Sequence, residues 1–172
     1  QIDQAGAFIA DLERYHPNFL RSGLLRIQAA NTTGDAAEAL KQANVLLTRA
    51  SSATVNGETN LQGLQDLQVR ALTARGLANL ELGKFADAKS DLQEVATRSP
   101  NSPTAVVNLG KAFAAENDRS KAVELFEKAL SMDASNFDAL SGFVNVAVSA
   151  GQTAQAHAKV DQMIVANAGR RE

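Results

Sequence analysis

Residues 69–102 read VRALTARGLANLELGKFADAKSDLQEVATRSPNS, and residues 103–136, directly after them, read PTAVVNLGKAFAAENDRSKAVELFEKALSMDASN. The two 34-residue segments superimpose without a gap. Numbering each from 1 to 34 places Gly76 and Gly110 at position 8, Ala88 and Ala122 at 20, Leu92 and Phe126 at 24, and Val95 and Ala129 at 27. An internal repeat of this length is a stacking unit, because one unit cannot bury its own apolar stripe.

The frame extends both ways. Residues 137–170 place Leu140 at position 4, Gly151 at 15, Ala156 at 20, Val160 at 24 and Met163 at 27. Residues 20–53 place Gly34 at 15, Ala39 at 20, Ala43 at 24 and Leu46 at 27. Upstream, Ala5, Ile9, Leu12 and Pro17 fit the second half of one more unit, within residues 1–19. Apolar residues recur three and four apart in each block, with breakers at Asn31 to Gly34, Gly83, Asn117 and Gly151, which is the signature of amphipathic helices and turns. The expected helices cover residues 2–15, 20–32, 35–53, 61–82, 85–98, 103–116, 119–132, 137–150 and 153–167. Gly or Ala at positions 8 and 20 is read as allowing the two helix backbones of a hairpin to approach closely.

Composition agrees with packed helices. The 172 residues are 45% hydrophobic, and that share is dominated by 32 alanines and 19 leucines, with four isoleucines and no tryptophan, a balance that favours helix over sheet. The 17 basic and 19 acidic residues give a net charge of -2, with eight against eight in the first half and nine against eleven in the second, so neither half is built to hold a polyanion. No cysteine is present, which removes disulfides and thiolate chemistry without fixing a compartment. No run reaches the length of a membrane span. The first residue is Gln1, and the chain reads as a fragment of a longer protein, located in the cytoplasm or, if exported, the periplasm.

These positions resemble the tetratricopeptide repeat, whose unit is 34 residues. The resemblance implies an all-α, right-handed superhelical solenoid of antiparallel helix pairs: half a repeat in residues 1–19, then full repeats at 20–53, 69–102, 103–136 and 137–170. Residues 54–68, TVNGETNLQGLQDLQ, stand outside the register. Asn56, Gly57 and Asn60 read as loop, while Leu61, Leu64 and Leu67 continue a helical stripe into Val69 and Leu72, lengthening the next helix by two turns. The insertion is either an arm that shapes a binding surface or a tolerated loop.

No catalytic arrangement is visible. His16 and His157 are the only histidines, the eleven glycines form no phosphate-binding motif, and no metal-ligand spacing occurs. The expectation is a non-enzyme without cofactor or metal, bacterial in its alanine, glutamine and asparagine flavour. Nucleic acid is disfavoured by the charge and by eight aromatics. A protein or peptide remains as partner. In the family the first helices line a concave face, and residue-by-residue carry-over gives Arg70, Leu77, Asn108, Lys111 and Asn145 as the partner-binding set, with Thr104, Val107, Asp138 and Ser141 beside them. Members that grip heat-shock chaperone tails use Lys, Asn and Arg at set positions; here those hold Leu24, Gln28, Ala74, Thr104 and Asn108, so that clamp is missing. The alternative function is a structural or oligomerising segment that positions other domains of the same chain.

Two departures from the repeat carry expectations of their own. Position 7, usually Leu in the family, holds Arg26 and Arg75. An unpaired arginine there is costly; Asp91 at position 23 is the expected structural partner of Arg75, whereas Arg26 faces Gln42 and its partner stays open. After Val160, Met163 and Ile164 no polar capping helix follows, so that stripe is expected to be exposed and to invite self-association.

Overall fold

Four backbone positions in the left-handed region punctuate the chain: Gly34, Gly83, Asn117 and Gly151, with φ of 70, 73, 64 and 76°. All four stand at position 15 of their 34-residue repeats. Only there does Asn117 stand in for glycine, a conformation Asn tolerates better than most side chains. Each turn releases the chain into the second helix of a hairpin, and Asp35 and Asp118 cap two of those helices by accepting the amides of Glu38 and Lys121. Asn60, Ser102 and Asn136 cap first helices in the same way.

The computed structural model describes residues 2–54 and 60–168. They form helices α1 (Ile2–Tyr15), α2 (Ser22–Thr33), α3 (Ala36–Ser52), α4 (Leu61–Glu81), α5 (Phe85–Arg98), α6 (Pro103–Ala115), α7 (Arg119–Met132), α8 (Phe137–Ser149) and α9 (Thr153–Ala168), with no strand among the described residues. The fold is all-α, built from antiparallel helix pairs. The expected loop at Asn56 and Gly57 lies outside the described residues. The leucine stripe after it is helical, and α4 buries Leu64 and Leu67. Helix α2 starts two residues later than its apolar pattern suggests. The Ser22 amide donates to the Phe19 carbonyl at 3.2 Å and the Ser22 hydroxyl donates to the same oxygen at 2.8 Å, so residues 17–21 close as turns first.

Contacts divide the chain into two compact units, residues 1–91 and 92–172. In the first, α1 packs on α2, α2 on α3 and α3 on α4, with α2 also meeting α4. Its core is small-residue helix packing: Ile27, Ala43, Leu46 and Ala71 form one cluster, and Ala30, Ala39 and Ala78 another. In the second unit, α6 packs on α7, α7 on α8, α8 on α9, and α6 meets α8. Phe126 and Phe143 are its largest fully buried side chains.

At Gly110, position 8 of its repeat, a side chain of the second helix takes up the space. A Cβ on Gly110 would stand 2.9 Å from Cε1 of Phe126, and one on Gly142 would stand 2.5 Å from both Cε1 and Cζ. Gly110 at position 8 of its repeat and Gly142 at position 6 of the next thus make room for an aromatic ring. Phe126 on α7 occupies the space left by α6 on one side and α8 on the other.

Candidate functional site

Arginine at position 7 ties neighbouring repeats together in the first unit. Arg75 on α4 donates from Nε to Asp91 Oδ2 at 2.8 Å and from Nη2 to Asp91 Oδ1 at 2.7 Å. This two-pronged geometry is the strong form of the pair. Its Nη1 also donates to Asn44 Oδ1 on α3 at 3.2 Å. Arg26 on α2 turns to α1, where both carboxylate oxygens of Glu13 accept from its Nε at 3.0 Å. Gln42, in the place that Asp91 holds, donates instead to Glu38. Each arginine therefore reaches the second helix of the preceding repeat.

The Arg26 guanidinium, by hydrogen bonding first and charge second, holds Glu13 below its ordinary value of 4.5, and Glu13 raises Arg26 in return. A lowered folded value means that the unfolded chain binds the proton first as pH falls. The pair's stabilisation is thus complete above the ordinary carboxylate range and is lost as pH falls through the lowered value. Hydrogen exchange in α1 is expected to speed up relative to α3 on acidification below about pH 4.5, and Glu13→Gln is expected to abolish that relative change.

On the first helices, Arg70 of α4 is exposed and stands 4.0 Å from Asp66, while Leu77 is half-buried. In the second unit, Lys111 on α6 faces Asp138 on α8 at 3.9 Å, both with exposed side chains. Asn145 and Thr104 are exposed. Asn108 and Val107 differ from the reading of a solvent-facing lining: Asn108 is 6% exposed and Val107 is buried. Asn108 makes no side-chain hydrogen bond to the described residues, and no fully buried side-chain polar atom among them lacks a partner, so its carboxamide keeps a narrow opening.

Recesses open within each unit. One of about 350 Å³ lies between the α1–α2 turn and the start of α4, around Tyr15, Phe19, Asn60 and Leu67. Another of about 230 Å³ lies among α7, α8 and α9, beside the Lys159 and Glu127 ion pair at 3.4 Å. The third, about 370 Å³, lies in the first unit and is lined by Leu40, Asn44, Arg75, Asn79, Lys84, Asp87, Ser90 and Asp91. Among the described residues no three His, Asp or Glu gather as a metal-binding group, and no helix is long and apolar enough to cross a membrane. On α9, Val160 and Met163 are half-buried while Ile164 is 62% and Val165 75% exposed.

Residues 73–139 match the family model described as Tetratricopeptide repeat. No curated protein matches the chain. Among solved structures, MamA residues 41-end from Desulfovibrio magneticus RS-1 are similar at a TM-score of 0.78 and 15% identity, covering 99% of this chain and 88% of that one. The Arabidopsis OM64 TPR domain is similar at 0.56 and 16%, covering 70% of this chain and 88% of that one. The chain has the fold of tetratricopeptide-repeat arrays, and the match to the family model spans its residues 73–139.

Proposed function

We propose that this chain is a non-catalytic protein-interaction scaffold whose first helices hold a peptide segment of a partner. The observation that carries the reading is the row on α6 and α8. Lys111, Asp138 and Asn145 stay accessible there, and Asn108, also on α6, is nearly buried. Helices that meet along one side and keep polar groups on it offer hydrogen bonds to a backbone of any sequence. Arg70 and Leu77 supply a second patch, on α4 of the first unit. Partner residues of acidic character are preferred, because Arg70 and Lys111 each have a single, long carboxylate contact to exchange.

The test is a random peptide library selected on the full chain. Enriched peptides are then titrated against Arg70→Glu, Lys111→Glu and, as a control on exposed α7 surface, Lys128→Glu. Reversing a rim charge is expected to weaken binding roughly three- to tenfold, and more at low than at high salt. Lys128→Glu is expected to leave it unchanged. Equal effects in all three variants would remove the first helices as the binding face.

A second reading, self-association, is favoured by Ile164 and Val165, two large apolar side chains left to solvent on α9. Light scattering of Ile164→Glu against the parent is the check. A concentration-dependent rise in mass that the substitution abolishes supports it, and a parent that stays monomeric contradicts it.

A further inference from the structure

The recess of about 370 Å³ in the first unit is lined mostly by polar groups, in a chain whose buried residues are mostly apolar. It lies off the partner-binding patch of α4. At 100° per residue, Arg75 and Asn79 point away from the side that carries Arg70 and Leu77.

Its lining sorts by what each group already does. The carboxylate of Asp91 is taken up by Arg75, and Arg75 also bonds Asn44. Lys84 and Asp87, both exposed, make no ion pair with the described residues. Asn79 is 3% exposed, yet its carboxamide makes no hydrogen bond to the described residues. No fully buried side-chain polar atom among them lacks a partner, so the amide atoms of Asn79 open onto the recess. A nearly buried amide with both donor and acceptor unused is costly unless something completes it. The next repeat shows that the fold does not demand these groups. The register of Arg75 and Asp91 holds Leu109 and Leu125 there, and both are buried.

We propose that this recess binds a neutral carboxamide, the side chain of Asn or Gln presented by a partner protein. Charge decides the class. Arg75 and Lys84 balance Asp87 and Asp91, so the recess is neutral as it stands. A ligand carboxylate would add a third negative charge beside two aspartates, and a ligand ammonium a third positive charge beside Arg75. A carboxamide adds none, and it answers the donor and acceptor of Asn79 with an acceptor and a donor of its own. Lys84 and Asp87 at the rim then flank the backbone that carries it.

The probes are N-acetyl-glutamine N-methylamide, N-acetyl-glutamate N-methylamide and N-acetyl-alanine N-methylamide, titrated into the full ¹⁵N-labelled chain. The readouts are the Asn79 side-chain amide signals, assigned by their loss in Asn79→Leu, and the Arg75 Nε signal. The glutamine probe is expected to move the Asn79 and Arg75 signals saturably, with a dissociation constant in the millimolar range on the order of a small fragment. The glutamate and alanine probes are expected to bind at least tenfold more weakly. Asn79→Leu, whose folding is checked by unchanged α2 and α3 signals, is expected to abolish the Arg75 response. Equal shifts with all three probes, no saturable shift, or an Arg75 response that survives Asn79→Leu would each overturn the proposal. A stronger response to the glutamate probe would overturn the carboxamide assignment in favour of an acidic ligand.

Discussion

Phe126→Ala is expected to cost the second unit about 3–5 kcal/mol, the range for emptying a buried aromatic site. Phe126 is 1% exposed and fills the gap left by Gly110 and Gly142, so truncation removes the ring of α7 that packs against both α6 and α8. Filling the gap from the other side is expected to be harmful as well. In Gly142→Ala the new methyl would stand 2.5 Å from two ring carbons. Overpacking of about 1–3 kcal/mol is then only partly offset by the roughly 1 kcal/mol that alanine contributes over glycine in a helix. The two sites should be coupled: Gly142→Ala with Phe126→Leu is expected to be less destabilised than the sum of the single changes. Urea unfolding together with hydrogen exchange in α6, α7 and α8 measures both. Additive effects would mean that the ring does not depend on the glycines.

The second large effect is expected at Arg75 and Asp91. Asp91→Ala removes a two-pronged, charge-assisted acceptor from a site where Asp91 is 6% exposed. Hydrogen bonds of this kind contribute about 1.5–3 kcal/mol. Arg75, with about a third of its side chain exposed, can rehydrate in part, which holds the loss toward the lower end, near 2 kcal/mol. Arg75→Leu is expected to lose a similar amount, because it strands the Asp91 carboxylate. The double change to Leu at both positions restores the apolar arrangement present at Leu109 and Leu125, and it is expected to recover most of the loss. A double variant as unstable as the sum of Arg75→Leu and Asp91→Leu would show that the two residues are not coupled and would contradict the pairing.

How much of this could be read from the sequence depends on how local the cause is. Gly83, Asn117 and Gly151 recur at one register, and each ends a helix by its own backbone conformation, so helix order and most helix ends follow from the chain alone. Arg75 and Asp91 were legible as partners because they lie sixteen residues apart in one hairpin, where the repeat fixes the facing. Glu13 as the partner of Arg26 was not, because it lies on the preceding repeat and Gln42, the residue at the expected place, bonds elsewhere. The role of Gly142 was hidden for a related reason. Spacing marks a small residue, but only packing reveals that the space belongs to Phe126. Asn108 shows the limit at the candidate site: its position pointed to an open lining, whereas neighbouring packing leaves it 6% exposed.

The central claim is that partners engage the first helices of the repeats. The most direct measurement is the backbone NMR spectrum of the full ¹⁵N-labelled chain, with and without a saturating library-selected peptide. The account predicts the largest shifts at α4, α6 and α8, around Arg70, Lys111 and Asn145. Shifts confined to the second helices α3, α5 and α7, with those three residues unmoved, would contradict it.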